Sequence, residues 1–281
     1  MMNIAKPALD PLDTFKTSIS RIQDQELKAR LIAVEQHIVR AAEEFDAAAE
    51  RAELYLLKAH STVGGTVTQQ EMSWVYERQL VDQRAPGRSI YDALIKIPRH
   101  RRCPMCAQRT VSTLDHYLPR TLFPIFSVVP FNLVACCGDC NKVKLAAVPS
   151  RADEQTLHPY YDDIRGQTWL AAQVLEESPA ALQFHIRLSP GADQTLYARI
   201  RHHFEVFKLG VLYVSHGANL LSNSRGYLQK LFERAGEDGV RAHLSDMADS
   251  CAGENRNSWQ TASYSALAAN DWFCGGGFAL E

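Results

Sequence analysis

No run of roughly 18 consecutive apolar residues occurs anywhere in the chain, so no membrane span is expected. Positive charge is scarce too: 30 lysines and arginines against 32 aspartates and glutamates leave a net charge of −2. A protein that grips naked nucleic acid unaided carries a broad basic surface, because each phosphate contact adds salt-dependent affinity. Unaided grip of that kind is not expected here. A disulfide framework is missing as well. The cysteines number seven, which is odd, Cys136 adjoins Cys137, and no secretory signal peptide is visible. These features point to a reducing, cytoplasmic setting. Internal repeats and low-complexity tracts are absent. What remains is ordinary globular material: 281 residues, 46% hydrophobic and 22% charged, enough for one large domain or two small ones.

The stretch from Cys103 to Lys144 organises the chain. It opens with Cys103-Pro-Met-Cys106 and closes with Cys137-Gly-Asp-Cys140-Asn141-Lys142-Val143-Lys144. Each Cys-x-x-Cys pair makes a tight knuckle, and two knuckles supply the four thiolates of a tetrahedral structural zinc site. The interval between Cys106 and Cys137 is longer than in an ordinary zinc ribbon, so something is built between the knuckles. Cys251 and Cys274 read as small buried residues. Cys136 does too, and of these three it is the one plausible substitute ligand.

Between the knuckles stand Leu114-Asp115-His116-Tyr117-Leu118-Pro119-Arg120 and Pro130-Phe131-Asn132-Leu133-Val134. Residues 111–114 have the alternation of a short strand, with Asp115 and His116 at its end pointing to opposite sides. One can bind a metal while the other faces a water. A proline-punctuated loop follows, then the apolar segment 133–135. A helix is expected over 139–147, stopped by Pro149, with Asn141 in its first turn.

This pattern resembles the HNH nucleases, the ββα-metal superfamily, in the subgroup with a four-cysteine zinc. The resemblance is specific over about 45 residues and loose elsewhere. It implies that His116 is the general base and that Asn132 fixes the loop. Asn141 then stands at the third motif position and Asp115 is the other ligand of a catalytic Mg²⁺ or Mn²⁺. The third position is Asn rather than His, a hard oxygen donor that suits Mg²⁺ better than a soft transition metal. A neutral histidine can take a proton from the attacking water, and a divalent ion can stabilise the leaving oxygen. Arg109, Arg120, Lys142 and Lys144 surround this centre, with Arg120 and Lys144 the strongest expectations for phosphate contact. His158, in Leu157-His158-Pro-Tyr-Tyr161, is a weaker candidate for phosphate contact and reads more readily as a structural histidine on a turn.

The flanks carry no catalytic signature. Residues 1–24 read as an extended arm, and 25–60 as one long helix. That helix has an apolar stripe of Leu31, Val34, Ile38, Ala41 and Phe45 and an acidic back of Glu35, Glu43, Glu44 and Glu50. Thr68-Gln-Gln-Glu71 is a capping box that starts a helix reaching about residue 83, and Ser89 starts another. A β-hairpin is expected from 168–175 and 182–188, leaving His185 on its polar face. Helices should then fill 194–270, with breaks placing them at 218–234, 237–250 and 258–269, ahead of a flexible end at 273–278. His202-His203 reads as structural or surface.

The fold class expected is α+β: a ββα-metal nuclease core with zinc knuckles at 96–165, a helical region at 1–95, and a hairpin with helices at 166–281. The function expected is a DNA endonuclease. Looser likenesses, in Ile90-Tyr-Asp-Ala-Leu94 and His158-Pro-Tyr160, are to HNH proteins of bacterial anti-phage systems of the Septu and retron types. They imply an effector working beside an ATPase. The acidic balance and the long helices point the same way, to a docking surface for a protein partner. The alternative is a zinc-bearing adaptor for nucleic acid or protein that has lost catalysis. The intact set of Asp115, His116 and Asn141 argues against it, and a closed four-cysteine site argues against a zinc hydrolase.

Overall fold

Leu133, Val134, Ala135 and Cys136 are each 0% exposed, a continuous run buried on both faces. They form β4 of a computed structural model that describes residues 1–144, 146–188, 191 and 193–280. The chain divides into two compact units, Met1–Asp163 and Ile164–Glu281. It is mixed helix and sheet, mostly helical, and the described residues form three two-stranded antiparallel sheets.

In the first unit the helices are α1 (Pro11–Ile19), α2 (Gln25–Ala33) and α3 (Glu35–Glu50). A small hairpin follows, β1 (Thr62–Val63) with β2 (Val67–Thr68), and then α4 (Gln69–Tyr76) and α5 (Arg88–Lys96). The central hairpin pairs β3 (Thr113–His116) with β4 (Leu133–Cys136), and α6 (Gly138–Lys144) comes directly after it. The register sets Thr113 opposite Cys136 and His116 opposite Leu133. Helix α5 packs on both strands and α6 on β3. Leu145, within the expected span of α6, lies outside the described residues.

Two expectations fail in this unit. The expected extended arm contains α1: Asp10 caps it by accepting from the Asp13 amide at 2.8 Å, and Pro11 takes the first helical position. A proline costs nothing there because that amide is unpaired anyway. Phe15 at 0% and Ile19 at 3% exposure anchor α1 in the core. The expected single helix over 25–60 is two helices, broken at Val34 and finished at Glu50. After Glu50, Ala52 adopts φ 56°, with Ala52 N donating to Ala49 O and Glu53 N to Ala48 O. That is a Schellman closure built on alanine instead of glycine. The apolar stripe is present, and all of it is buried inside the unit.

The capping box forms as written. Thr68 N donates to Glu71 at 2.8 Å and Glu71 N to Thr68 Oγ1 at 3.2 Å. Beyond Tyr76 the helix widens into a π turn, Glu77–Val81.

The second unit holds β5 (Leu170–Leu175) antiparallel to β6 (Ala181–Ile186), with His185 exposed. Then come α7 (Gln194–Val206), α8 (Leu209–Asn255), α9 (Trp259–Ala268) and α10 (Asp271–Cys274). Helix α8 is interrupted at Gly236, whose φ 64° and ψ −162° only glycine adopts freely. That break falls in the gap expected between residues 234 and 237. Helix α9 packs on α8 and β5. The expected flexible end is instead tied down, with Phe273 at 0% and Phe278 at 6% exposure. His203 is buried beside Phe207, a structural position.

Glu71 also takes a two-pronged ion pair from Arg30, at 2.9 and 2.6 Å. The hydrogen bond from Arg30 is what chiefly holds the Glu71 carboxyl down, at about 2. A depressed carboxylate adds stability above its unfolded pKa and loses it as the pH falls through the folded one. Glu71→Gln should therefore lower the urea midpoint at pH 7. The gap to wild type should close between about 4.5 and 2. A gap that is independent of pH would rule out this ion pair as the cause.

Candidate metal centre and the adjoining polar site

The four sulfurs of Cys103, Cys106, Cys137 and Cys140 lie within 4.8 Å of one another, and all four residues are buried. None forms a disulfide. Tetrahedral zinc with Zn–S near 2.3 Å requires sulfurs about 3.8 Å apart, so this cluster can hold a structural metal ion such as zinc. Each knuckle is locally determined. In the first, Ala107 N closes on Cys103 O at 2.8 Å, Ala107 turns left-handed at φ 58°, and Arg109 N donates to Cys106 Sγ at 3.4 Å. In the second, the knuckle is the first turn of α6, where Cys140 N donates to Cys137 Sγ at 3.4 Å. An Arg109–Asp139 ion pair at 2.8 Å ties the two knuckles together. Cys136 is buried, and burial pushes its thiol up. It stands beside the cluster without joining it. Cys251 and Cys274 also lie outside it.

Because β4 runs straight into Cys137, the cluster fixes the end of the central hairpin. Ser112 N donates to Cys136 O at 2.9 Å and extends the pairing toward the first knuckle. At the other end of β3 stand Asp115 and His116, 7% and 9% exposed. His116 Nε2–H donates to the Ser127 carbonyl at 2.9 Å. A carbonyl only accepts, so this bond fixes the tautomer and leaves Nδ1 with the lone pair. Burial is the main cause that lowers His116 to about 3, and the charges of Arg120 and Lys144 push the same way. The imidazole is therefore neutral at ordinary pH. Its ring meets Tyr76 edge-on, centroids 4.4 Å apart.

Asn132 is wholly buried and works as a staple. Its Oδ1 accepts from Leu118 N at 2.7 Å, and its Nδ2 donates to Leu118 O at 2.9 Å and Phe126 O at 3.3 Å. These bonds close the loop between the strands and carry Ser127 to His116.

Lys144, expected to face phosphate, turns inward instead. Its Nζ sits 3.0 Å from Asp115 Oδ2 and donates to the His116 carbonyl at 2.7 Å. The residue is 5% exposed. Burial pushes the Asp115 carboxyl up from its ordinary value, and Lys144 opposes that shift. Asn141 is half-buried, one helical turn before Lys144. Residues three apart share a helix face, so Asn141 stands on the side of α6 that carries Lys144, the residue that reaches Asp115.

Arg120 donates to Glu77 and to the Ser73 carbonyl. Lys142 is exposed on α6. His158 packs among Phe45, Tyr117, Tyr160 and Tyr161, with ring centroids 4.3 to 6.1 Å away, and is 1% exposed. Its Nδ1 accepts from the Tyr160 amide at 3.3 Å. It is a core histidine.

Sequence reasoning missed Tyr76, Glu77 and Ser127. Tyr76 looks like any residue of an amphipathic helix, and no local signal marks it. The inward turn of Lys144 did have a signal: Cys140 must face the sulfur cluster, and Lys144 lies four residues on along the same face.

No protein-family model matches the chain, and no solved structure matches it. The chain is similar to Protein ea31 of Escherichia phage lambda, at 27% identity over 237 residues, covering 78% of this chain and 79% of that protein. No described helix is long and apolar enough to cross a membrane.

Fresh protein should contain one zinc per chain by elemental analysis, and substituting any one of the four cysteines with serine should lower the melting temperature. Less than about half an equivalent of zinc counts against the assignment. Lys144→Met leaves Asp115 buried without its partner and should cost about 3–5 kcal/mol in urea unfolding. Adding Asp115→Asn should recover most of that loss. A Lys144→Met protein as stable as wild type contradicts the buried pair.

Proposed function

We propose that this chain is a metal-dependent endonuclease of the HNH kind that hydrolyses phosphodiester bonds of DNA. The observation that carries the reading is the local order: strand, stapled loop and strand between two cysteine knuckles, then a helix that begins in the second knuckle, with Asp115-His116 at the strand end and Asn141 on the helix. In it His116 Nδ1 takes the proton of the water that attacks phosphorus. Ser127 holds the ring so that this nitrogen keeps its lone pair. A phosphate placed beside the ring adds negative charge and raises the buried imidazole back toward the range of an effective base. Asn132 keeps Ser127 in place. The donor set of Asp115 and Asn141, two hard oxygens, fits Mg²⁺ or Mn²⁺, with the remaining positions left to water and substrate. Such an ion supplies charge stabilisation for the phosphate and the leaving oxygen. Arg120 meets the phosphate. Lys144 balances the Asp115 charge.

The proposal extends to a protein partner, an ATPase that delivers or licenses the substrate in anti-phage defence. Net charge of −2 supports it, since positive charge is scarce for a protein that grips naked nucleic acid unaided. The exposed acidic face of Glu43, Glu44 and Glu50 supports it too, as do Val211, Val214 and Tyr227 on α8, which are 76%, 41% and 55% exposed.

A second reading is an adaptor without catalysis. The Lys144–Asp115 pair favours it, because an ammonium already neutralises the carboxylate that a catalytic ion needs. Plasmid nicking in Mg²⁺ or Mn²⁺ decides between the two. Wild type should nick, and His116→Ala should nick at least about 100-fold more slowly while keeping its zinc. Asn141→Ala should behave alike, Asp115→Ala should lose nicking and also stability because Lys144 is left buried without its partner, and Asn132→Asp should lose both activity and stability as two carbonyls lose their donor. His116→Ala cutting at the wild-type rate removes the base assignment. Wild-type protein that binds DNA without nicking it favours the adaptor.

A further inference from the structure

Arg120 lies in the loop after β3, and the end of α4 holds its guanidinium three ways. Nη2 donates to Glu77 Oε1 at 2.6 Å and Nη1 to the Ser73 carbonyl at 3.2 Å. The guanidinium carbon lies 5.1 Å from the centroid of the Tyr76 ring. That same ring meets His116 edge-on.

Tyr76 thus lies against both the proposed base and the guanidinium, which puts Arg120 beside the place a phosphate would enter. The guanidinium fork takes a carboxylate and a phosphate in the same geometry. Glu77 thus presents to Arg120 what a phosphate would present. The two ends of this pair differ in freedom. The Glu77 side chain is 54% exposed and that of Arg120 is 26% exposed. The carboxylate can swing into water while Ser73 and Tyr76 keep the guanidinium in place. Glu77 is also the first residue of the π turn, a local widening that recurs at functional sites. It follows Tyr76 in sequence, so the ring beside the base and the carboxylate on the arginine leave one helix end together.

We infer that Glu77 is a specificity-determining counter-charge, seated on Arg120 in the place of a substrate phosphate and displaced by a phosphodiester polyanion. The inference rests on the nuclease reading and adds to it a gate on substrate class. A tethered carboxylate competes well against an isolated phosphate, because its effective concentration is high. It competes poorly against a strand whose neighbouring phosphates are gripped at the same time. Exposed ion pairs are weak, so displacement by a strand is easy.

The test measures binding of a labelled DNA duplex without divalent ions, and nicking separately in Mg²⁺ or Mn²⁺. The proteins are wild type, Glu77→Gln, Arg120→Gln and the double variant. Glu77→Gln should bind roughly threefold to tenfold tighter and Arg120→Gln more weakly. The double variant should match Arg120→Gln, because Glu77 acts only through Arg120. Tightening of the same size in the Arg120→Gln background means a general loss of negative charge and overturns the inference. Unchanged or weaker binding by Glu77→Gln does so too, provided its melting curve matches wild type. If Glu77→Gln melts early, Glu77→Ala replaces it under the same criteria. Wild type that nicks DNA while Glu77→Gln binds no tighter removes the counter-charge alone. Wild type that neither binds nor nicks removes the nuclease reading and this inference with it.

Discussion

Four sulfurs within 4.8 Å of one another are the constraint on which the first unit depends. Buried thiolates repel one another, and a cation resolves that repulsion while pinning two segments far apart in sequence. One knuckle precedes β3 and the other follows β4 without a spacer. The cluster therefore sets the register of a hairpin of only four residues per strand, which a short two-stranded sheet does not secure alone. The same knuckle begins α6, so the direction of that helix is fixed as well.

Everything polar in the site hangs on this frame. Asn132 spends its side-chain donors and acceptor on the loop, which positions the Ser127 carbonyl on His116. Lys144 returns from α6 to the strand end, neutralising Asp115 and bonding the His116 carbonyl. A buried ion pair of this kind contributes little net stability, since desolvation offsets most of the attraction. What it does is specify one arrangement of strand end and helix. The wall on the other side comes from α4, where Tyr76 meets the imidazole. The helical part of the unit thereby takes part in the site.

Much of this was legible in the sequence. The two Cys-x-x-Cys pairs announced the cluster, the capping box at Thr68 announced α4, and the gap expected between residues 234 and 237 matches the break in α8 at Gly236. The unread parts have physical reasons. Proline at a first helical position looks like a breaker until its cap, Asp10, is seen. The end of α3 is hidden because alanine, not glycine, takes the left-handed position at Ala52. Phe273 and Phe278 flank three consecutive glycines, and glycine content suggested freedom where aromatic burial imposes order. Lys144 was read by its charge, when its spacing from Cys140 already placed it inward. Tyr76 and Glu77 meet the site only through tertiary packing, which no local pattern encodes.

Hydrogen exchange before and after zinc chelation tests most directly whether the sulfur cluster holds the site. The account predicts that amides of Thr113–His116 and Leu133–Lys144 lose protection together when the metal is removed. It also predicts that Leu118 N, bonded to Asn132, loses protection with them. Protection that survives chelation in these segments would contradict it, and would mean that packing alone holds the hairpin and α6 in place.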